Sequence, residues 1–102
     1  MKRYRVGFSR TADAHVETIE SWWRENRPAA PDMFSRELEA AVRLLETSPM
    51  IGKAYPQAPV SEVRRLLIGR SRYHVYWELD LGSTAVTILA IWYAGRGSGP
   101  PL

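Results

Sequence analysis

The sequence predicts an α+β fold in the order β-α-α-β-β-β, with a helical hairpin packed on a mostly antiparallel four-stranded sheet. Three observations predict it. Residues 62–93 alternate apolar and polar positions at period two and are interrupted by turn residues, the pattern of consecutive short strands. Residues 9–48 instead repeat their apolar positions every three to four residues, the period of helices. A length of 102 residues suits one domain with one core.

Each element has its own signal. In residues 3–8, Tyr4, Val6 and Phe8 share one strand face, and Arg3, Arg5 and Gly7 share the other. Ser9 is a natural N-cap for a first helix. Ala12, Val16, Ile19 and Trp23 draw its apolar stripe, with Trp22 beside that stripe and Asp13, Glu17 and Glu20 on the polar side. Asn26, Arg27 and Pro28 end it. A second helix is expected to begin near residues 29–31, where proline suits a first turn. It should bury Phe34, Leu38, Ala41, Val42 and Leu45 and stop at about Ser48, before Pro49. The short connection implies an antiparallel hairpin.

Residues 49–59, PMIGKAYPQAP, read as a loop. Strands are expected at 62–68, 70–79 and 85–93, with residues 80–83, DLGS, as a hairpin turn. In the middle strand Tyr73, Val75 and Trp77 face one way and His74, Tyr76 and Glu78 the other. The last strand, AVTILAIWY, is almost wholly apolar and should be covered on both faces. Residues 1–96 form the expected domain, and 97–102 a flexible Gly/Pro tail.

Composition narrows the function classes. The absence of cysteine excludes a disulfide framework and a zinc-thiolate site and suits a reducing cytosol. Two distant histidines make zinc improbable, and the GRGSG run opens no helix, so neither a metal nor a nucleotide cofactor is expected. No run reaches the roughly 18 apolar residues of a membrane span, and the N-terminus lacks a signal-peptide pattern, so a mature cytoplasmic protein is expected.

Charge points to a partner. Residues 1–52 hold eight basic and eight acidic residues, whereas 53–102 hold six and three, so the whole net charge of +3 lies in the second half. Arg64, Arg65, Arg70 and Arg72 fall within nine residues of it. Guanidinium grips carboxylates and phosphates with paired hydrogen bonds, so this face suits an acidic macromolecule. An arginine-rich edge strand that blocks unwanted pairing would read the same way. Trp23, Trp77 and Trp92 belong to the core by default. Trp22 and Tyr55 are candidate interface anchors. His15 has no evident partner. His74 could titrate near neutral pH and, with Arg65, Arg72 and Arg96, forms a candidate set for RNA cleavage. The alternative for His74 is a surface strand residue packed on Tyr76 or Glu78.

With the elements in this order, the chain resembles the RelE/ParE superfamily, the toxin halves of type II toxin-antitoxin modules. The likeness spans almost the whole chain. It is carried by YRVGFS, by SPMIGKAYP, by VRRLLIGRSRYHVYWELD and by VTILAIWYAGRG. The ending WYAGRGSGPPL looks most like the ParE branch. The resemblance implies a growth-inhibiting, plasmid-stabilising toxin that is not itself an enzyme and that binds DNA gyrase. It further implies neutralisation by a ParD-like antitoxin, with a ribbon-helix-helix start and an acidic amphipathic end. Trp22, Tyr55, Arg64, Arg65, Arg70, Arg72 and Arg96 are the residues expected to meet partners. The RelE branch implies instead a ribosome-dependent mRNA endoribonuclease. Its nucleases resemble one another in an arginine after the third-strand aromatic and an aromatic or histidine near the C-terminus. Here His74 follows Tyr73 and neither an aromatic nor a histidine follows Tyr93, which favours the ParE side.

Overall fold

A computed structural model describes residues 2–58 and 62–102. The order is β1 (Arg5–Phe8), α1 (Arg10–Asn26), α2 (Met33–Thr47), β2 (Lys53–Ala54), β3 (Val63–Ile68), β4 (Tyr73–Asp80) and β5 (Ala85–Tyr93). The sheet runs β1-β5-β4-β3-β2. Among the described residues only β1 and β5 pair in parallel; the other neighbours are antiparallel, as expected.

The sheet has five strands rather than four. Lys53 and Ala54, read as loop, pair with Arg65 and Arg64. Gly52 makes this possible. Its φ is +81°, and a Cβ there would lie 2.4 Å from the Arg65 carbonyl oxygen, so only glycine lets the chain turn this close to β3. The last residue of the predicted loop, 59, lies outside the described residues.

Ser9 caps α1: its Oγ accepts from the Ala12 amide at 3.0 Å. The second helix starts later than proline placement suggests. Asp32 is its N-cap but makes no side-chain cap bond; its carboxylate pairs with Arg36 at 2.8 Å instead. The strand expected from residue 70 begins at Tyr73, because residues 70–72 are spent on the β3–β4 turn.

The two helices cover one sheet face. Phe34, Leu38 and Leu45 meet Val75, Trp77, Ile88 and Ile91, and Trp23 and Ala12 join them from α1. The second face has a smaller cluster of Val63, Tyr76 and Ala90, flanked by Tyr55, Leu89, Trp92 and Leu102. Trp92, expected in the core, is therefore half-buried on this second face. An irregularity between Tyr76 and Trp77 leaves Leu89 as the extra residue of β5. The C-terminal residues lie along this face: Pro100 is buried and Leu102 packs on the cluster.

Candidate partner-binding site

The sequence-predicted site residues fall into three places. The first is a hollow of about 810 Å³ between the end of the helical hairpin and the β3–β4 turn. Trp22, Arg70 and Arg72 line it together with Arg27, Met33 and Tyr93. Trp22 is 43% exposed, stacks edge-on against Trp23 at 5.7 Å, and carries the Arg27 guanidinium 5.3 Å from its ring. Such an exposed aromatic between cations is an anchor shape.

What anchors the turn that carries the two arginines is Glu37 on α2. Its Oε2 accepts from the Arg70 amide at 2.7 Å, and its Oε1 accepts from the Ser71 amide at 3.0 Å and from the Ser71 hydroxyl. Gly69 lets the turn come this close, since a Cβ there would sit 2.3 Å from Glu37 Oε2. Burial pushes the Glu37 carboxyl up, but the bonds from Ser71 and Arg70 and the Arg70 charge outweigh it, and the net shift is downward. Arg72 completes the turn at φ 62°, a left-handed conformation that costs a non-glycine residue about 1–2 kcal/mol. Its carbonyl accepts from the Ala94 amide, tying the turn to the end of β5. The turn that carries the two exposed arginines is thus fixed beside the hollow by backbone bonds and by one carboxylate. Among the described residues, neither Arg70 nor Arg72 forms a salt bridge.

The second place is the open sheet face. Arg65 donates to the Tyr76 hydroxyl at 3.3 Å and lies 5.5 Å from the Tyr55 ring centre, and the two tyrosine rings meet edge-on at 4.9 Å. His74 is on the same face, 6.0 Å from Tyr76. Burial lowers its pKa, and the Arg65 and Arg72 charges lower it further, so its imidazole is neutral at pH 7. Arg96 stacks on Trp92 at 4.2 Å. The face thus gathers the candidate cleavage residues Arg65, Arg72 and His74 within electrostatic range of one another.

The third place is the sheet edge. Arg64 donates from Nε to the Ile51 carbonyl at 3.1 Å and from Nη2 to the Gly52 carbonyl at 3.3 Å. Its guanidinium staples β2 to β3 and is separated from both other groups.

His15, which had no evident partner, has one. Where β1 ends, the rim of β5 is closed by the start of α1: the Ser9 amide bonds the Ile88 carbonyl, and His15 Nδ1 accepts from the Ile91 amide at 3.1 Å. Burial lowers the His15 pKa, with a smaller contribution from Arg96. No sequence signal marks that contact, which spans 76 residues. Among the described residues no cluster of metal-binding side chains exists, and no helix is long and apolar enough to cross a membrane.

The comparisons with known proteins fit this frame. The model of the ParE toxin of the type II toxin-antitoxin system, parDE, matches residues 6–97. The chain belongs to that family, within the RelE/ParE superfamily of toxins. Similar solved structures include the chromosomal ParDE system from P. aeruginosa, at TM-score 0.69 and 18% identity, covering 89% of this chain and 96% of that one. The toxin-antitoxin complex RelBE2 from Mycobacterium tuberculosis follows at TM-score 0.61 and 21% identity, covering 94% and 97%. A mutant of E. coli RelE in the free state has TM-score 0.59 and 14% identity, covering 93% and 87%. At these identities the structures speak for the fold. No curated protein shows significant similarity to the chain.

Proposed function

We propose that this toxin arrests growth by binding DNA gyrase as a protein inhibitor and is neutralised by a cognate ParD-like antitoxin. The observation that carries the reading is the match of the ParE toxin family model across residues 6–97. The hollow supports it, because Trp22, Arg70 and Arg72 converge on a surface shaped for a protein partner rather than on an enclosed reaction site. Tyr55, Arg65 and Arg96 offer a second contact on the open face, and Arg64 contributes by fixing the edge strand. The protein would act in the cytoplasm, where gyrase is.

A supercoiling assay tests this. Purified toxin in excess over gyrase is expected to block supercoiling of relaxed plasmid, and added antitoxin to restore it. Normal supercoiling at high toxin excess overturns the gyrase assignment.

One arrangement favours a second reading, ribosome-dependent mRNA cleavage. His74, held neutral between Arg65 and Arg72, has the protonation state of a general base, and arginines are suited to a phosphorane. Primer extension on message from induced cells separates the two. Codon-linked cuts that vanish in His74→Ala and Arg72→Ala favour cleavage.

A further inference from the structure

We propose that residues 98–102 are a strap rather than a loose tail: a built-in peptide ligand that closes an aromatic groove on the open sheet face and lifts when a proline-bearing segment of another protein takes its place. Nothing in this depends on the toxin's target, and residues 98–102 lie outside the span that the family model matches.

A run of Gly, Ser and Pro predicts a mobile end, yet the parts of this one have seats. The Ser98 carbonyl accepts from Trp92 Nε1 at 2.8 Å. Gly99 lies so close to the Tyr55 hydroxyl that a Cβ there would collide with it. Pro100 is buried. Leu102 packs on the cluster of Val63, Tyr76 and Ala90. Those three residues are at most 2% exposed, although both helices lie on the other side of the sheet.

The groove has aromatic walls held from behind. Tyr55 meets Tyr76 edge-on at 4.9 Å and carries the Arg65 guanidinium 5.5 Å from its ring. Across from it, Trp92 carries Arg96 at 4.2 Å and meets the His15 ring at 5.8 Å. Aromatic walls with an indole donor suit an extended proline-bearing chain. The rings pack on pyrrolidines, and the N–H takes a carbonyl from a backbone that makes no internal hydrogen bonds. The strap supplies such a backbone. Pro100 and Pro101 each fix their own φ near about −65° and restrict the residue before them. A segment stiffened in this way loses little freedom on seating.

The seat closes without locking. Among the described residues, the hydrogen bond from Trp92 is what joins the strap to the sheet, and Ser98, Gly99 and Pro101 are exposed. Lifting the strap uncovers Tyr76 and Trp92 beside their cross-strand neighbours Arg65 and His74. While closed, the strap screens that face from other macromolecules. A peptide suits the groove better than a nucleic acid does. The occupant in place has no charged side chain and is held by a carbonyl and by apolar packing, whereas a nucleic acid strand is held largely through its phosphates. A tethered segment competes at an effective concentration of about millimolar, so loosening the strap should expose the groove's own affinity.

The test follows the four indole N–H signals of the whole ¹⁵N-labelled protein and of its Leu102→Asp and Gly99→Val variants. The probes are the synthetic peptides acetyl-GSGPPL-amide and acetyl-GSGAAL-amide at natural abundance and a 12-nucleotide single-stranded RNA. In the wild type, the Trp92 indole proton should exchange at least about fivefold more slowly than that of exposed Trp22. Both variants should speed Trp92 exchange about fivefold or more and leave Trp77, bonded to the Pro49 carbonyl, unchanged. The proline peptide should saturate Leu102→Asp and return its Trp92 signal toward the wild-type position. It should bind the wild type at least about fivefold more weakly, because the resident strap competes. The alanine peptide should bind Leu102→Asp at least about threefold more weakly than the proline peptide does.

Trp92 exchanging as fast as Trp22 in the wild type, or unchanged in both variants, would show a loose tail and overturn the proposal. Loss of Trp77 protection in both variants would overturn it too, by making the strap an inseparable part of the core. So would equal peptide binding by wild type and Leu102→Asp, equal binding of the two peptides, or no shift at about 10 mM proline peptide. RNA saturating the Trp92 signal in place of the peptide would assign the groove to another class of partner. None of these readings involves gyrase, so a failed supercoiling assay and a failed titration remain distinguishable.

Discussion

The two faces of this sheet come from the same strands and have opposite chemistry. Toward the helices, Val75, Trp77 and Ile88 are wholly enclosed by Phe34 and Leu45. On the other side, the strands present Arg65, His74, Tyr76 and Trp92 beneath a thin cover of Tyr55 and the C-terminal residues. Two tryptophans make the contrast concrete. Trp77 and Trp92 each donate their indole N–H to a carbonyl, Pro49 at 3.0 Å and Ser98 at 2.8 Å. Trp77 is 0% exposed, whereas Trp92 is half-buried under an arginine and a peptide strap. One face stores the folding energy, and the other is left polar, aromatic and close to solvent. Alternation along a strand is what lets one short sheet do both.

Truncation of Trp77 should break the comparison most sharply. Trp77→Ala removes a fully buried ring and strands the Pro49 carbonyl, so a loss of about 3–5 kcal/mol is expected in urea unfolding. Because domains of this size are marginally stable, that loss would leave a substantial unfolded fraction. A loss under 1 kcal/mol would mean the helix face is not where stability resides.

Glu37→Ala should come next. It takes one carboxylate from two amides and a hydroxyl of the β3–β4 turn, at an expected cost of about 1–3 kcal/mol. The sign of its acid dependence follows from its direction of shift. A carboxyl lowered from 4.5 contributes stability in full above that value, and the contribution fades as pH falls through the lower folded value. Glu37→Gln should therefore flatten the wild-type decline below pH 4.5. An unchanged acid profile would place the anchoring of the turn elsewhere.

Much of this was legible in advance, for physical reasons that differ by element. The alternation of Tyr73 to Glu78 and the spacing of Phe34, Leu38, Ala41 and Leu45 are local consequences of burial on one side, so pattern alone revealed them. Ser9 was legible as a cap because its acceptor bond is three residues long. What escaped was made by distant partners. The two-residue strand β2 exists because Gly52 admits the Arg65 carbonyl, and Arg64 then ties it down. Nothing local sets Glu37 apart from other polar helix positions, because the turn that docks on it lies 33 residues away. The arginines showed the same split. Their number was visible, but not that Arg64 turns to the edge, Arg65 to the open face, and Arg70 and Arg72 to the hollow.

On the open face, Trp92→Phe keeps a ring for Arg96 and removes the donor to Ser98. We expect a loss of about 0.5–1.5 kcal/mol. Hydrogen exchange should rise in residues 97–102 while the Trp77 indole proton stays protected. Faster exchange at Trp77 as well would mean that the two faces unfold as one unit.

The smallest effect concerns His15, where β5 meets α1. Nδ1 accepts from the Ile91 amide, so the bond requires an unprotonated Nδ1. The folded pKa is lowered from 6.5, mainly by burial and further by Arg96. The contribution is therefore complete above pH 6.5 and is lost as pH falls from there through the folded value. His74 is shifted in the same direction and adds to the same slope. His15→Asn keeps an acceptor near Nδ1 and removes the titration. Its unfolding midpoint at pH 7.5 should match wild type within a few tenths of a kcal/mol, with a smaller drop on going to pH 5.5. His74→Asn supplies the other share, and the double variant should be flat across that window. Since the carboxyls shifted in this fold lie below pH 4.5, they leave the window to the two imidazoles. A double variant that still loses stability between pH 7.5 and 5.5 would show that the rim of β5 is held by something other than His15.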